Sequence, residues 1–240
     1  MKILLLFDKE FPIDSRKLLT FLKQKLSYIK FELHTDDFEI KDNIISRPNT
    51  FKQVHFELKD KQKDFDGVYC FTIKQYNDNY FFHEYRKLLI FSFYRWTFLT
   101  DLPISNGVIY FMVDSISLQI NPTNFRHENI TGCIYDFLFD KRGVDEGMRQ
   151  ARFCSNCLNR LSKFIKSEKD LNVFNDLKNL MNLLSESSRW NNDILETIKI
   201  NNSLISKRKP KKDKGLQIVI ASPGDTNSAE IGRASCRERV

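Results

Sequence analysis

The alternation of apolar and polar positions along the chain predicts strands interleaved with helices. Residues 2–7 and 67–73 form uninterrupted apolar runs, which are typical of strands buried on both faces of a sheet. Shorter segments with strand-like patterns are residues 31–34, 53–58 and 87–96. After the first strand, Asp14 and Ser15 are suitable caps for a helix that continues to about Ile29. The order strand, helix, strand favours an α/β layered fold.

The second half of the chain is predicted to be mainly helical. Residues 103–118 place Val108, Ile109, Met112 and Ile116 at positions that suit a helix facing a core. Further helical patterns occur at residues 140–152, 158–165 and 170–205, the last a long segment without Gly or Pro. We therefore expect an α/β fold in which a mixed sheet has flanking helices and a Cys-based knuckle. A helical C-terminal extension is expected to lead out of this domain.

The composition agrees with a globular protein. Hydrophobic residues make up 41% and charged residues 29% of the 240 positions. No apolar run approaches the length of about 18 residues that a membrane-spanning helix needs. The short apolar stretch at the N-terminus is followed at once by Asp8 and Glu10, and no small-residue cleavage site is present. These features predict a cytoplasmic protein with no membrane partner.

The positive charge is concentrated near the C-terminus. The formal net charge is +7, and the tract from Lys207 to Lys214 holds six positive charges and one negative charge. Residues 231–240 hold three arginines and one glutamate, so the remainder of the chain is neutral. Because like charges repel and Pro210 stops a helix, we expect residues 207–215 to form a solvated linker. The alternative is an arm that binds nucleic acid nonspecifically.

The segment after the basic tract has the pattern of a strand that opens a second domain. Residues 218–225 read Ile-Val-Ile-Ala-Ser-Pro-Gly-Asp, an apolar strand that ends in a Pro-Gly turn. This run resembles the start of a TIR-like, nucleoside-deoxyribosyltransferase-like domain found in many multidomain bacterial proteins. The resemblance implies that Ser222 and Asp225 lie near a ligand pocket, at the carboxyl end of a strand. Other domains of the same full-length protein are therefore the expected partners.

Residues 231–240 differ in kind from the rest of the chain. They read Ile-Gly-Arg-Ala-Ser-Cys-Arg-Glu-Arg-Val, which matches a one-frame translation of a widely used short-read sequencing adapter. We therefore interpret this segment as a library artefact with no packing role, and we expect the natural chain to continue beyond Glu230.

Three cysteines in the middle of the chain form the main candidate site. Cys133 is followed by Cys154-Ser-Asn-Cys157, and a Cys-x-x-Cys pair presents two thiolates to one tetrahedral metal ion. His127 is the nearest candidate for a fourth ligand. The alternatives for that ligand are Glu128, His83 and Cys70. The pattern predicts a structural zinc site that stabilises a region with little core; reduced cysteines without a metal are the other interpretation.

The same region resembles the C-terminal part of the archaemetzincin family of zinc metallopeptidases. In that family the last catalytic His is followed by two cysteines, a Met-containing turn and a final Cys-x-x-Cys that completes a structural zinc site. His127 falls at the last catalytic His, and Cys133 at the second structural Cys. Cys154 and Cys157 fall at the final pair, after a gap one residue longer than usual. The resemblance covers about thirty residues.

Several features of that family are missing from this sequence. Glu128 replaces the first structural Cys, and Tyr135 stands where the Met would be. No His-Glu-x-x-His occurs, and residues 117–121, where the family spacing places it, read Ser-Leu-Gln-Ile-Asn. The catalytic zinc of that family needs two His ligands one helical turn apart and a Glu as general base. We therefore expect a degenerate, non-catalytic relative that keeps the structural knuckle.

These observations predict five segments with different roles. They are an α/β module with a zinc knuckle (residues 1–168), a helical extension (169–206), a basic linker (207–215), the start of a TIR-like domain (216–230) and the adapter segment (231–240). The module is predicted to be a non-catalytic sensor or adaptor in a multidomain bacterial signalling or defence-type protein, with a protein partner. The alternative is a zinc-dependent hydrolase whose nonstandard site uses His83, His127 or acidic ligands.

Overall fold

Seven strands and six α-helices build the part of the protein that the structure, a computed structural model, describes: residues 1–120, 126–128 and 130–197. The strands are β1 (Lys2–Phe7), β2 (Lys30–Leu33), β3 (Ile44–Ile45), β4 (Gly67–Thr72), β5 (Gln75–Tyr76), β6 (Phe82–Tyr85) and β7 (Leu88–Ser92). The helices are α1 (Ser15–Lys25), α2 (Asn49–Glu57), α3 (Ile104–Ile120), α4 (Gly143–Gln150), α5 (Ser155–Ser162) and α6 (Glu168–Arg189). Single 3₁₀ turns lie at Lys61–Asp64, Trp96–Phe98 and Ile194–Glu196.

The main sheet is mixed, as the sequence predicts. Its strand order is β2-β1-β4-β7-β6, and β3 pairs with β5 in a separate two-stranded ribbon. The first four strands of the main sheet run parallel. Strand β6 is antiparallel to β7, with Glu84 opposite Leu89, and it forms one edge of the sheet. The α/β fold class is therefore confirmed.

The sheet is buried on both faces because alternate residues of its strands enter two separate cores. Ile3 and Leu5 of β1 pack in the larger core with residues of α1, α3 and α6. Leu4 and Leu6 enter the smaller core on the other face, together with residues of α2. Side chains of a strand alternate between the two faces, so a strand covered on both sides appears as one continuous apolar run.

Helix α3 crosses the larger core, and most of its residues are buried. Gly107 allows α3 to approach Trp96, because a β-carbon at this position would collide with the indole ring. The indole Nε1–H of Trp96 donates to the carbonyl of Leu102 at 2.9 Å, so the ring is held in place by a hydrogen bond as well as by packing. Helices α4 and α6 contact α3.

The helical C-terminal region is observed, but its first helix stays within the domain. Helix α6 begins with a capping box, in which the Ser167 hydroxyl accepts from the N–H of Asp170. Its apolar face, including Leu177 and Leu184, is part of the larger core. The carboxylate of Asp176 accepts hydrogen bonds from the backbone between α1 and β2. The expectation that this segment leads out of the domain is therefore corrected for residues 168–189.

Two other expectations from the sequence are corrected. Residues 53–58 belong to helix α2 and its C-cap instead of a strand, because Phe51, Val54 and Leu58 face the core at helical spacing whereas Phe56 is 76% exposed. Helix α1 ends at Lys25, four residues before the predicted end. The sequence pattern does not predict the edge strand β6.

The predicted linker, TIR-like start and adapter segment (residues 207–240) lie outside the described residues and stay predictions. Within the described residues, none of the helices combines the length and the apolar character that crossing a membrane requires.

Candidate metal centre

The start of helix α5 positions two of the predicted ligands. Cys154 is the N-cap residue of the helix, in extended conformation, and Cys157 lies in the first turn. This is the local geometry that a Cys-x-x-Cys sequence needs to direct two sulfur atoms to one point. The N-terminal end of a helix carries a partial positive charge, which favours a thiolate there.

Cys133 lies in a tight loop that is organised by Asp136. The buried Asp136 carboxylate accepts from the N–H of Thr131 at 2.6 Å, from its hydroxyl at 2.9 Å and from the N–H of Cys133 at 3.1 Å. Gly132 has a φ of +74°, and a β-carbon there would collide with the Gln150 side chain. Only glycine meets both conditions without strain.

Backbone hydrogen bonds join this loop to the segment that leads into α5. The N–H of Ile134 donates to the carbonyl of Arg152 at 2.8 Å, and Cys133 and Arg152 form a parallel bridge. The N–H of Cys154 points toward the Cys133 sulfur at 3.4 Å. Cys133 is therefore brought next to the Cys-x-x-Cys pair although 20 residues separate it from Cys154 in the sequence.

His127 reaches the same place from a third segment. Its N–H donates to the Tyr135 carbonyl at 2.8 Å, and its carbonyl accepts from the N–H of Phe137 at 2.7 Å. The preceding residue, Arg126, forms a two-pronged ion pair with the buried carboxylate of Asp114 at 2.7 and 3.0 Å. These contacts fix the backbone on both sides of the imidazole.

The side chains of His127, Cys133, Cys154 and Cys157, called the Cys/His cluster below, meet at one point. All four candidate donor atoms lie within 4.8 Å of one another. The imidazole Nε2 is 3.1 Å from the Cys157 sulfur and 3.2 Å from the Cys154 sulfur. A tetrahedral zinc with Zn–S of about 2.3 Å and Zn–N of about 2.0 Å separates its ligands by about 3.5–3.8 Å. The cluster can therefore hold a metal ion after small side-chain adjustments.

Burial and hydrogen bonds within the cluster shift the pKa values of the three thiols in different directions. Burial raises the pKa of the Cys133 and Cys157 thiols. Burial also opposes ionisation of Cys154, but hydrogen bonds from the N–H and side chain of Cys157 and from Cys133 outweigh it, so the pKa of the Cys154 thiol is lowered. Three neighbouring thiolates repel one another unless a cation lies between them. A divalent metal would supply that charge and deprotonate the thiols.

The alternatives for the fourth ligand lie elsewhere. Cys70 is fully buried in β4 on the smaller-core face of the sheet. His83 is on β6, and its Nε2 is 3.0 Å from the Asp78 carboxylate. Glu128 is exposed and does not belong to the group of close donors. Among the candidates for this ligand, the structure brings only His127 next to the three cysteines within the described ranges.

The family spacing places the peptidase zinc motif at residues 117–121, of which residues 117–120 form the end of α3 and residue 121 lies outside the described residues. The Ser117 hydroxyl donates to the Asp114 carbonyl at 2.7 Å, and the Gln119 amide donates to the Tyr69 hydroxyl at 3.3 Å. Neither residue type is a usual zinc ligand. In residues 1–120, 126–128 and 130–197, the Cys/His cluster is the one group of three or more His, Cys, Asp or Glu donors close enough to share a metal ion.

Sequence reasoning missed the residues that support the cluster. Asp114 is the single charged residue in the apolar sequence of α3, which is a sign of a buried ion pair, but its partner Arg126 cannot be identified from spacing. Asp136 likewise cannot be identified from the sequence pattern, because its role depends on the conformation of the loop around Cys133.

Comparison with known proteins gives one likeness. No protein-family model matches the sequence, and a search of curated proteins found no match. Among solved structures, the chain is similar to a zinc-dependent peptidase from Methanocorpusculum labreanum (strain Z), with a TM-score of 0.43 and 14% sequence identity. The similarity covers 66% of this chain and 99% of that chain. The fold and site define an α/β domain with a four-donor Cys and His cluster.

Proposed function

We propose that the Cys/His cluster binds one structural zinc ion and that the domain is a non-catalytic sensor or adaptor module of a larger protein. The observation that carries the proposal is the closed donor set: three sulfurs and one imidazole nitrogen converge within 4.8 Å. Thiolate and imidazole ligands in tetrahedral number are the donors that zinc prefers in structural sites.

The arrangement of the ligands along the chain supports a structural role. The four donors come from three segments, which are residues 126–128, the loop around Asp136 and the first turn of α5. These segments contain little regular secondary structure before α4 and α5. A zinc ion bound there would tie them together and contribute to folding, as structural zinc sites do in regions with small cores.

The same donor set argues against hydrolysis at this centre. A catalytic zinc keeps one coordination position for water, whereas four protein ligands occupy all positions of a tetrahedral ion. His127, which falls at a catalytic position in the family that the sequence resembles, faces the cysteines here. The adaptor role is further supported by the basic tract and the TIR-like run in the sequence, which suggest attachment to a second domain.

Metal analysis of the purified full chain tests the proposal. We expect about one zinc per chain, and a chelator should lower the midpoint of thermal unfolding because the metal stabilises the folded state alone. Cys154→Ser and Cys157→Ser should lose the metal. Cys70→Ala is the matched control, because this buried cysteine lies outside the cluster and its loss should affect only packing.

Two results would contradict the proposal. A metal-free protein whose cluster cysteines react readily with an alkylating reagent would show that the donors do not bind zinc. A second zinc together with chelator-sensitive peptide or ester hydrolysis would favour the hydrolase alternative.

A further inference from the structure

A cavity that is lined by none of the four donors of the Cys/His cluster lies beside the edge strand of the sheet. It has a volume of about 400 Å³ and is lined by residues from four places: β6 with the turn before it, α3, residue 126, and residues 134 and 136–138. Ligand sites for small molecules commonly have volumes of about 300–1,000 Å³, so this space is large enough for a compact organic molecule. We call it the β6 cavity.

Aromatic side chains form much of the wall and the rim of the β6 cavity. Phe82 and Phe111 line it, and their ring centroids are 6.1 Å apart. At the rim, Tyr80 is 45% exposed and Phe137 is 41% exposed. Phe139, which is 81% exposed, is held near the rim by a hydrogen bond from Asn79 to its carbonyl. Exposed aromatic groups around a cavity are typical of surfaces that bind a ligand.

The charged groups of the β6 cavity are predominantly acidic. Three carboxylates line it, those of Glu84, Asp114 and Asp136, against one guanidinium, that of Arg126. The ion pair between Arg126 and Asp114 is neutral as a unit. The donors to the Asp136 carboxylate are uncharged N–H and O–H groups, so its negative charge is not cancelled by them. Acidic groups in a cavity with low-dielectric walls create a negative potential that attracts cations.

The other titratable groups nearby do not reverse this excess. Burial lowers the pKa of His83 despite its bond to Asp78, so the imidazole adds no charge near neutral pH. The Lys141 ammonium lies 4.7 Å from the centroid of the Phe81 ring and donates to the Tyr80 carbonyl. With Lys141 counted, the carboxylates still outnumber the cations. The contact also shows that an aromatic face in this region already accepts an ammonium group.

We propose that the β6 cavity binds a small organic cation, an ammonium-bearing molecule with an apolar or aromatic body. The body would lie against the rings of Phe82, Phe111 and Phe137, and the ammonium group would face Glu84. This inference names a ligand class for the sensor role proposed above and therefore rests on it. Asp136 and Arg126 line the cavity and also support the segments that carry Cys133 and His127, but none of the four cluster donors lines it. Variants at Glu84 and Phe137, with zinc content measured alongside, therefore test the two proposals separately.

Three probes with a shared phenethyl body but different charges test the inference. Phenethylammonium, phenethyl alcohol and hydrocinnamate are titrated into the full chain, and binding is followed by NMR chemical-shift changes. We expect the ammonium probe to bind about tenfold more tightly than the alcohol, since cation–π and carboxylate contacts act on it alone. Hydrocinnamate should bind more weakly than the alcohol, because the potential in the cavity repels it.

Four variants locate the binding. Glu84→Gln should reduce the preference for the cation over the alcohol. Phe137→Leu should weaken binding of both the cation and the alcohol, because the body that they share lies against this ring. The controls are Glu32→Gln on the opposite edge strand β2 and Phe98→Leu, which is exposed elsewhere. Both controls should leave all three affinities unchanged.

Zinc content is measured for each variant, so that failure of the cavity proposal is distinguishable from failure of the zinc proposal. Equal binding of the three probes, no saturable binding of phenethylammonium, or binding that Glu84→Gln and Phe137→Leu leave unchanged would overturn the inference. Tight binding of a Lys-containing peptide without binding of the small ammonium probe would also overturn it, in favour of a protein ligand. In each case, a measured content of about one zinc per chain would still support the proposed metal centre.

Discussion

His127 is the residue on which the composition of the proposed metal centre depends. Its imidazole contacts the sulfurs of Cys154 and Cys157 at 3.1–3.2 Å, and the backbone on either side is held by hydrogen bonds to Tyr135 and Phe137. The four ligands of a structural zinc site share a binding free energy of about 10–16 kcal/mol. One ligand therefore accounts for a substantial share of the affinity.

Replacement of His127 tests this assignment. His127→Ala should weaken zinc binding by about 100-fold, which corresponds to one of four ligands. His127→Cys should keep tight binding, because a set of four thiolates also suits zinc. Competition with a chromophoric chelator gives the affinities, and cobalt substitution should show the intense visible bands of a tetrahedral thiolate site in both wild type and His127→Cys. Unchanged affinity in His127→Ala would mean that another group completes the site.

The buried ion pair between Asp114 and Arg126 is a second site where a single residue matters. The Asp114 side chain is 5% exposed and that of Arg126 is 24% exposed, so removal of one partner leaves a charge with little solvation. Burial raises the pKa of the Asp114 carboxyl against the opposing effect of Arg126. The pair anchors the residue that immediately precedes His127.

Asp114→Ala is expected to lower the free energy of unfolding by about 3–5 kcal/mol, the usual cost of breaking a buried pair. Urea denaturation measures the change. The exposed pair between Arg142 and Asp140 provides the control, and Arg142→Ala should have no measurable effect on stability. A similar response of both variants would show that Arg126 is readily solvated when it is unpaired.

Among the elements, α6 is the one whose place in the fold differs most from expectation. Its length and lack of Gly and Pro are evident in the sequence, but its apolar face packs in the larger core. Asp176, in the middle of the helix, accepts from the N–H groups of Ser27, Tyr28 and Ile29 at 2.7–3.2 Å. One carboxylate thus joins α6 to the turn between α1 and β2.

Asp176→Ala should destabilise the whole domain and not only the end of the chain. Loss of the carboxylate leaves three backbone N–H groups without their acceptor, which we expect to cost about 2–4 kcal/mol. Glu186→Ala is the control, because Glu186 is exposed on the same helix. Hydrogen exchange should show faster exchange in β1 and β2 as well as in α6 for Asp176→Ala. Faster exchange confined to α6 would support the view of a separate helical extension.

For the molecule as a whole, the predicted division of the chain into segments is based on its charge distribution. The net charge of +7 derives from the tract between Lys207 and Lys214 and from residues 231–240. A tract of like charges interrupted by proline is unfavourable for a packed core. The predicted boundary between the module and a second domain therefore lies between residues 206 and 215.

Limited proteolysis checks this boundary. Trypsin should cut first within residues 207–215, where six Lys and Arg residues are concentrated, and should leave the module as a stable fragment. Mass spectrometry identifies the first products. Initial cleavage within residues 133–157 of the zinc-loaded protein would show that the boundary is misplaced.

The C-terminal ten residues should have no part in folding. Deletion of residues 231–240 is expected to leave the midpoint of thermal unfolding unchanged, because their sequence matches a translated adapter. Differential scanning calorimetry of the two proteins makes the comparison. A decrease of several degrees in the midpoint would contradict the interpretation as an artefact.

The spacing of apolar residues along the chain is enough to predict the α/β class, β1, β4 and α3. This spacing depends only on which residues of one strand or helix share a face. The same signal fails for α2: Val54, Phe56 and Leu58 alternate like a strand, and only packing against the sheet decides that Phe56 points to solvent. A local pattern that fits two periods is resolved by tertiary contacts.

The proximity of the two thiols of the Cys-x-x-Cys pair can be predicted from the local sequence. Two residues three positions apart share one helical turn, wherever that turn lies in the fold. Spacing also makes Cys133 and His127 candidates, but it leaves Glu128, His83 and Cys70 open. The choice among them required the three-dimensional fold, which also revealed the pair of Asp114 with Arg126 and the β6 cavity. These features join segments that are distant along the chain, and their proximity depends on how the sheet, α3 and the loop around Asp136 pack together.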